Sequence, residues 1–163
     1  MESIDVIAAN IEEHARLTSG LELICKYYKI KYDASPLYNF RDALSHFILR
    51  YEAKTDEEKI AQESSINEHI FRGTKDIFVT ILYEMKQRVI EALNSTDRSE
   101  QQQEIRQLLH RYKKIELEIR GNSETTVNRT LVTFVESLNN LIQETKRVFE
   151  LYGIKFVPSK KYQ

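Results

Sequence analysis

The chain has 163 residues with four glycines, two prolines, one cysteine and no tryptophan, and its 24 basic and 25 acidic side chains leave a net charge of -1. So few turn residues exclude a sheet fold with many short connections and point to long helices. The near-neutral balance gives nucleic-acid binding no whole-chain support, since phosphate contacts draw on a basic excess. No run of about 18 apolar residues is present to span a membrane.

Apolar periodicity predicts five helices. The first runs from about Ser3 to Ile30 on the stripe Ile4, Ile7, Ile11, Ala15, Leu21, Ile24, Cys25 and Tyr28. Gly20 is a place for it to bend or split. Cys25, alone in the chain, can form no internal disulfide, which fits a reducing compartment, and its apolar setting suits a small buried hydrophobe. The N-terminus is acidic and lacks a signal-peptide pattern, so a cytoplasmic location is expected. Lys26 to Tyr32 interleaves basic and aromatic residues. That pattern can stack on single-stranded RNA, and it also suits the amphipathic end of a helix.

Ser35 and Pro36 are placed to open the second helix, as N-cap and first helical residue. Phe40, Ala43, Leu44, Phe47, Ile48 and Tyr51 make its apolar face, and it ends near Lys54. Thr55 to Glu58 is a capping box that starts a long third helix, to about Leu93, with Ile66, Ile70, Ile77, Ile81, Met85 and Val89 at helical spacing. Gly73 is its candidate bend or close-packing point. The fourth helix spans about Glu100 to Arg120 and stops at Gly121. Ser123 caps the fifth, which continues to Tyr152 before Gly153.

The fifth helix carries the cleanest pattern. Val127, Leu131, Phe134, Leu138, Leu141, Thr145, Val148 and Tyr152 alternate four and three, a heptad seam widened by Val135, Ile142 and Phe149. The fold expected is all-α, an antiparallel up-and-down bundle of four to five long helices. It forms a single domain over 1–155 with a flexible tail at 156–163. The seam and the widened stripes favour a homodimer, though one bundle can also use them internally.

Two polar clusters interrupt the apolar pattern. Arg41, Asp42 and His46 lie on the second helix, with Arg50 one turn after the histidine. Histidine suits proton transfer near neutrality, and arginine suits a crowded phosphate charge. Asp42, four residues before His46, shares its face and can orient the imidazole. Glu68, His69, Arg72 and Asp76 form a polar stripe on the third helix. The two stretches echo each other, each with a histidine beside apolar residues and an arginine one turn later. This echo can place two His/Arg pairs on facing helices. The second cluster serves either as phosphate-binding support or as a buried network that fixes two helices.

Arg41, the polar Asp42 beside it and His46 five positions on resemble the Arg-x(4–6)-His motif of the HEPN superfamily, helical bundles that include RNases of toxin–antitoxin, phage-defence and CRISPR systems. The resemblance implies a dimer in which two motifs meet to form one RNA cleft. Arg41 and His46 would be the catalytic pair and Asp42 would support them. Arg50, His69 and Arg72 are the candidate substrate-binding residues. The expected function is a metal-independent endoribonuclease or RNA-binding component of bacterial defence or toxin–antitoxin systems, with RNA and a partner protein as the candidate partners. The competing reading is a non-enzymatic interaction or assembly module that works through the fifth-helix seam.

No metal or cofactor is expected. The Glu-x-x-His pairs of bundle carboxylate sites do not occur, nor does a phosphate-cradling glycine loop or a glycine-flanked nucleophile. His14 and His110 read as ordinary helix-surface or boundary residues.

Overall fold

A computed structural model describes residues 4–121 and 127–155 of the chain. It contains α1 (Ile4–Tyr28), α2 (Ser35–Glu52), α3 (Asp56–Asn94), α4 (Ser99–Gly121) and α5 (Val127–Leu151), and no strand occurs among the described residues. The all-α class follows directly. The expected cap at Ser123 and the tail at 156–163 lie outside the described residues.

The helix ends show which local signals operate. Thr55 and Glu58 form the expected capping box. Thr55 Oγ1 accepts from the Glu58 amide at 3.1 Å, and Glu58 Oε2 accepts from the Lys54 and Thr55 amides at 2.8 and 3.2 Å. Those two amides hold the Glu58 carboxyl below its ordinary value. Ser35 does not cap α2. The N-cap position is Ala34, with no side-chain cap, and Ser35 is already helical. Asp33 Oδ1 instead accepts from the Ser35 amide at 2.9 Å, which leaves the Ser35 hydroxyl for a partner on α3. α1 runs unbroken through Gly20.

The chain divides into two compact units. One comprises Met1–Leu23 with Tyr32–Phe78, and the other Ile24–Lys31 with Val79–Gln163. In the first unit, Ala43 on α2 packs with Ile66 and Ile70 on α3, and Ile11, Phe40 and Phe47 close over them. Gly73 is a point of close approach. A Cβ there would stand 2.8 Å from Phe40 Cε1 and 3.2 Å from the Pro36 carbonyl oxygen, so only glycine lets these backbones meet. Thr18 and Thr74 join their hydroxyls at 3.0 Å in the interior. His14 is buried with its ring edge-on to Phe71, in place of the helix-surface or boundary position expected for it.

In the second unit α4 packs on α5. Arg111 pairs with Glu144, and Tyr112 Oη lies 3.0 Å from Thr145 Oγ1. Thr145, the polar member of the heptad seam, donates to the Leu141 carbonyl at 2.7 Å. Tyr112 is fully buried, and burial pushes its phenol far above the ordinary value. Leu131, Leu138, Leu141, Ile142, Val148 and Phe149 are all buried within this one chain. The seam is therefore occupied by the chain's own core.

Candidate functional site: a histidine pair between α2 and α3

The first unit gives α2 three distinct faces. Phe40, Ala43 and Phe47 point into the core. Leu37, Arg41, Leu44, Ile48 and Tyr51, spaced four and three apart, are all exposed. Between these faces Ser35, Asn39, His46 and Arg50 form a polar strip, and each is bonded to a side chain of α3.

The bonds make a ladder. Ser35 Oγ donates to Asp76 Oδ2, and Asn39 Nδ2 donates to the same oxygen at 3.3 Å and to the Ser35 carbonyl at 3.2 Å. Both amide hydrogens of Asn39 thus point one way, and its Oδ1 faces His69 Nδ1 at 3.4 Å. His46 Nδ1 lies 2.7 Å from Gln62 Oε1. The two imidazoles are stacked between these amides, with centroids 5.2 Å apart and planes inclined by 21°. Below them Arg50 Nε and Nη2 both reach Glu63 Oε1 at 2.6 Å, and the Glu63 side chain is only 7% exposed. As α2 advances from Ser35 to Arg50, its partners on α3 step back from Asp76 to Gln62 and Glu63. The two segments therefore run in opposite directions.

These contacts set the histidine tautomers. An amide oxygen only accepts, so the ring nitrogen facing it must carry the hydrogen. Nδ1 is then the N–H of both His46 and His69, and each neutral ring presents Nε2 as its lone-pair nitrogen. Among the described residues neither Nε2 has a hydrogen-bond partner. Both rings are half-buried. Two parallel imidazoles with fixed tautomers can take up a proton at one nitrogen and deliver one from the other.

The sequence-derived residues divide into two groups. His46 and His69 come together, as the echo between the two helices suggested. Arg41 does not join them. It stands about 140° around the helix from His46, its side chain is 68% exposed, and it holds Asp42 Oδ1 through Nε at 3.0 Å and Nη2 at 2.7 Å. Its guanidinium also lies 5.4 Å from the Tyr38 ring centroid. Asp42 is held by Arg41, and that bond keeps its carboxyl below the ordinary value, with smaller contributions from His69 and His46. Gln62 takes the orienting role expected of Asp42. Arg50 is tied to Glu63, and Arg72 pairs with Glu68 on the surface of α3.

Asn39, Gln62 and Glu63 were not singled out in the sequence. A signal for two of them exists there. Asn39 lies seven residues before His46, and Gln62 lies seven before His69. Each histidine bonds the amide that precedes the other one, so the pair has a local two-fold character. Among the described residues no group of three or more His, Cys, Asp or Glu side chains is arranged to hold a metal ion. No helix is long and apolar enough to cross a membrane among the described residues. No protein-family model matches this chain, and no curated protein or solved structure matches it either.

Proposed function

We propose that this chain is a HEPN-like helical protein that binds RNA and cleaves it without a metal, as a homodimer, in a bacterial defence or toxin–antitoxin setting. The His46–His69 pair carries this reading. In RNA cleavage the 2′-hydroxyl attacks the adjacent phosphate, one group takes its proton, and a second group protonates the leaving 5′-oxygen. The products are a 2′,3′-cyclic phosphate and a free 5′-hydroxyl. A neutral and a protonated imidazole side by side suit the two proton transfers. Arg72 lies one turn from His69 on α3 and supplies positive charge near the phosphate.

The dimer is proposed on the exposed face of α2. Leu37, Leu44, Ile48 and Tyr51 leave an apolar stripe on the surface with Arg41 in its middle. A second copy against that stripe would cover it and bring Arg41 of each copy to the other's site. Incubation of total RNA with the purified protein in EDTA tests the reading. Cleavage by the parent and none by His46→Ala is expected, and RNA left intact by the parent overturns it.

A second reading is a non-enzymatic interaction module. It is favoured by the intrachain partners of Arg41, His46 and Arg50, which suit a network that fixes helix register. Its working surface would be the α2 face, since the α5 seam is buried. Self-association of the parent without RNA binding is its expected outcome.

A further inference from the structure

One rung of the ladder between α2 and α3 has its direction forced from a distance. Asn39 faces three groups: the Ser35 carbonyl, Asp76 Oδ2 and His69 Nδ1. The first two only accept hydrogen bonds, so they claim the amide Nδ2, at 3.2 and 3.3 Å. The amide oxygen is left for the histidine, at 3.4 Å. We propose that Asp76, acting through Asn39, is a positioning residue for His69 that keeps Nδ1 as its N–H and Nε2 as its proton-transferring nitrogen. The proposal rests on the cleavage reading above.

A half-turn of the Asn39 amide shows what the carboxylate contributes. The turn would bring Oδ1 against Asp76 Oδ2 and the Ser35 carbonyl, three acceptors with no hydrogen among them. It would also aim the amide N–H groups at His69, and a ring nitrogen facing an N–H must accept. His69 would then carry its hydrogen on Nε2, and the lone pair needed to take up a proton there would be gone. With Asp76 removed, only the Ser35 carbonyl opposes that turn.

The carboxylate is itself fixed. Asp76 Oδ2 accepts from Ser35 Oγ as well as from Asn39, so two α2 side chains one turn apart hold the same oxygen. Asp76 lies seven residues past His69 on α3, about two turns away and on the same face. Asn39 spans the gap from the opposite helix. All three bonds are part-buried, where water competes less for the amide. His46 takes its direction from Gln62 instead, at 2.7 Å. It therefore serves as a reference within the same site.

Long-range proton–nitrogen correlation spectra of the isotope-labelled full chain test the assignment without RNA, at a pH where imidazole is neutral. In the parent, His69 should show a hydrogen-bearing Nδ1 and a lone-pair Nε2, its signals being identified by their loss in His69→Ala. Asp76→Ala should move the His69 pattern toward the Nε2–H form and leave that of His46 as it is. In RNA cleavage the same variant should lose at least about tenfold in kcat with KM little changed, because proton transfer is misdirected while binding is not. His69 in the Nε2–H form in the parent overturns the proposal, and that measurement needs no folded variant. An unchanged His69 pattern in folded Asp76→Ala overturns it too, as does an unchanged kcat beside a changed pattern. RNA left intact by the parent, beside a His69 pattern that Asp76→Ala alters, supports the hold of Asp76 on His69 and overturns the cleavage reading alone.

Discussion

His46 and His69 stack 5.2 Å apart, and each gives its Nδ1 hydrogen to the amide that lies seven residues before the other. The pairing is reciprocal because α2 and the facing part of α3 run in opposite directions. It holds both rings in one tautomer and both Nε2 atoms without a bond inside the described residues.

Arg50 is predicted to matter for folding before it matters for any substrate. Its partner Glu63 is buried, so Arg50→Ala leaves an uncompensated carboxylate in the interior. Urea denaturation should show a loss of about 3 kcal/mol. Arg50→Ala with Glu63→Gln should recover much of that loss, because the buried charge is gone. Equal stability of Arg50→Ala and the parent would refute the pairing.

Gly73→Ala is expected to destabilise the first unit by about 1 to 3 kcal/mol. The new methyl group meets the Phe40 ring edge and the Pro36 carbonyl, and the carbonyl belongs to backbone that does not yield. A midpoint equal to the parent's in chemical denaturation would show that α2 can retreat from α3.

The Glu116 carboxyl is held below its ordinary value, first by the hydrogen bond from Lys86 at 2.7 Å and then by the charges around it. A carboxylate with a depressed value in the folded state binds its proton more readily when unfolded. Its contribution is fully present above the unfolded value near 4.5 and is lost as pH falls through the lower folded value. Glu116→Gln should therefore flatten the fall in stability on acidification through this window. An unchanged pH profile would contradict the assignment.

The exposed stripe of α2 predicts that the parent self-associates and that Leu44→Asp is monomeric, as read by light scattering over a concentration series. Leu138→Asp is no test of assembly, since Leu138 is fully buried in its own chain and a charge there breaks the fold. Arg41→Ala, at an exposed position, should change monomer stability by less than about 0.5 kcal/mol. A parent that stays monomeric at every concentration removes the dimer from the account.

Much of the fold was legible because its signals are local or periodic. The α5 heptad seam and the Thr55–Glu58 box depend on residues within a turn or two of each other. Ser35 misled because the helix starts one residue earlier, after Ala34, and the serine hydroxyl donates to Asp76, forty-one residues away. The His/Arg echo pointed to the histidine pair, but spacing alone could not separate Arg41 from His46 by function. Residue 41 faces outward and residue 46 faces α3, which depends on which side of α2 packs. Buried Glu84 and Arg88 gave no sign, since charged residues at helical spacing read as a solvated face.

The central claim is that His46 and His69 act as a pair. Its most direct test is the rate at which His69→Ala cuts RNA in EDTA, compared with the parent, at matched helicity by circular dichroism. A fall of about a hundredfold or more is expected for the loss of one proton-transfer group. Cleavage by His69→Ala at the parent's rate would contradict the account.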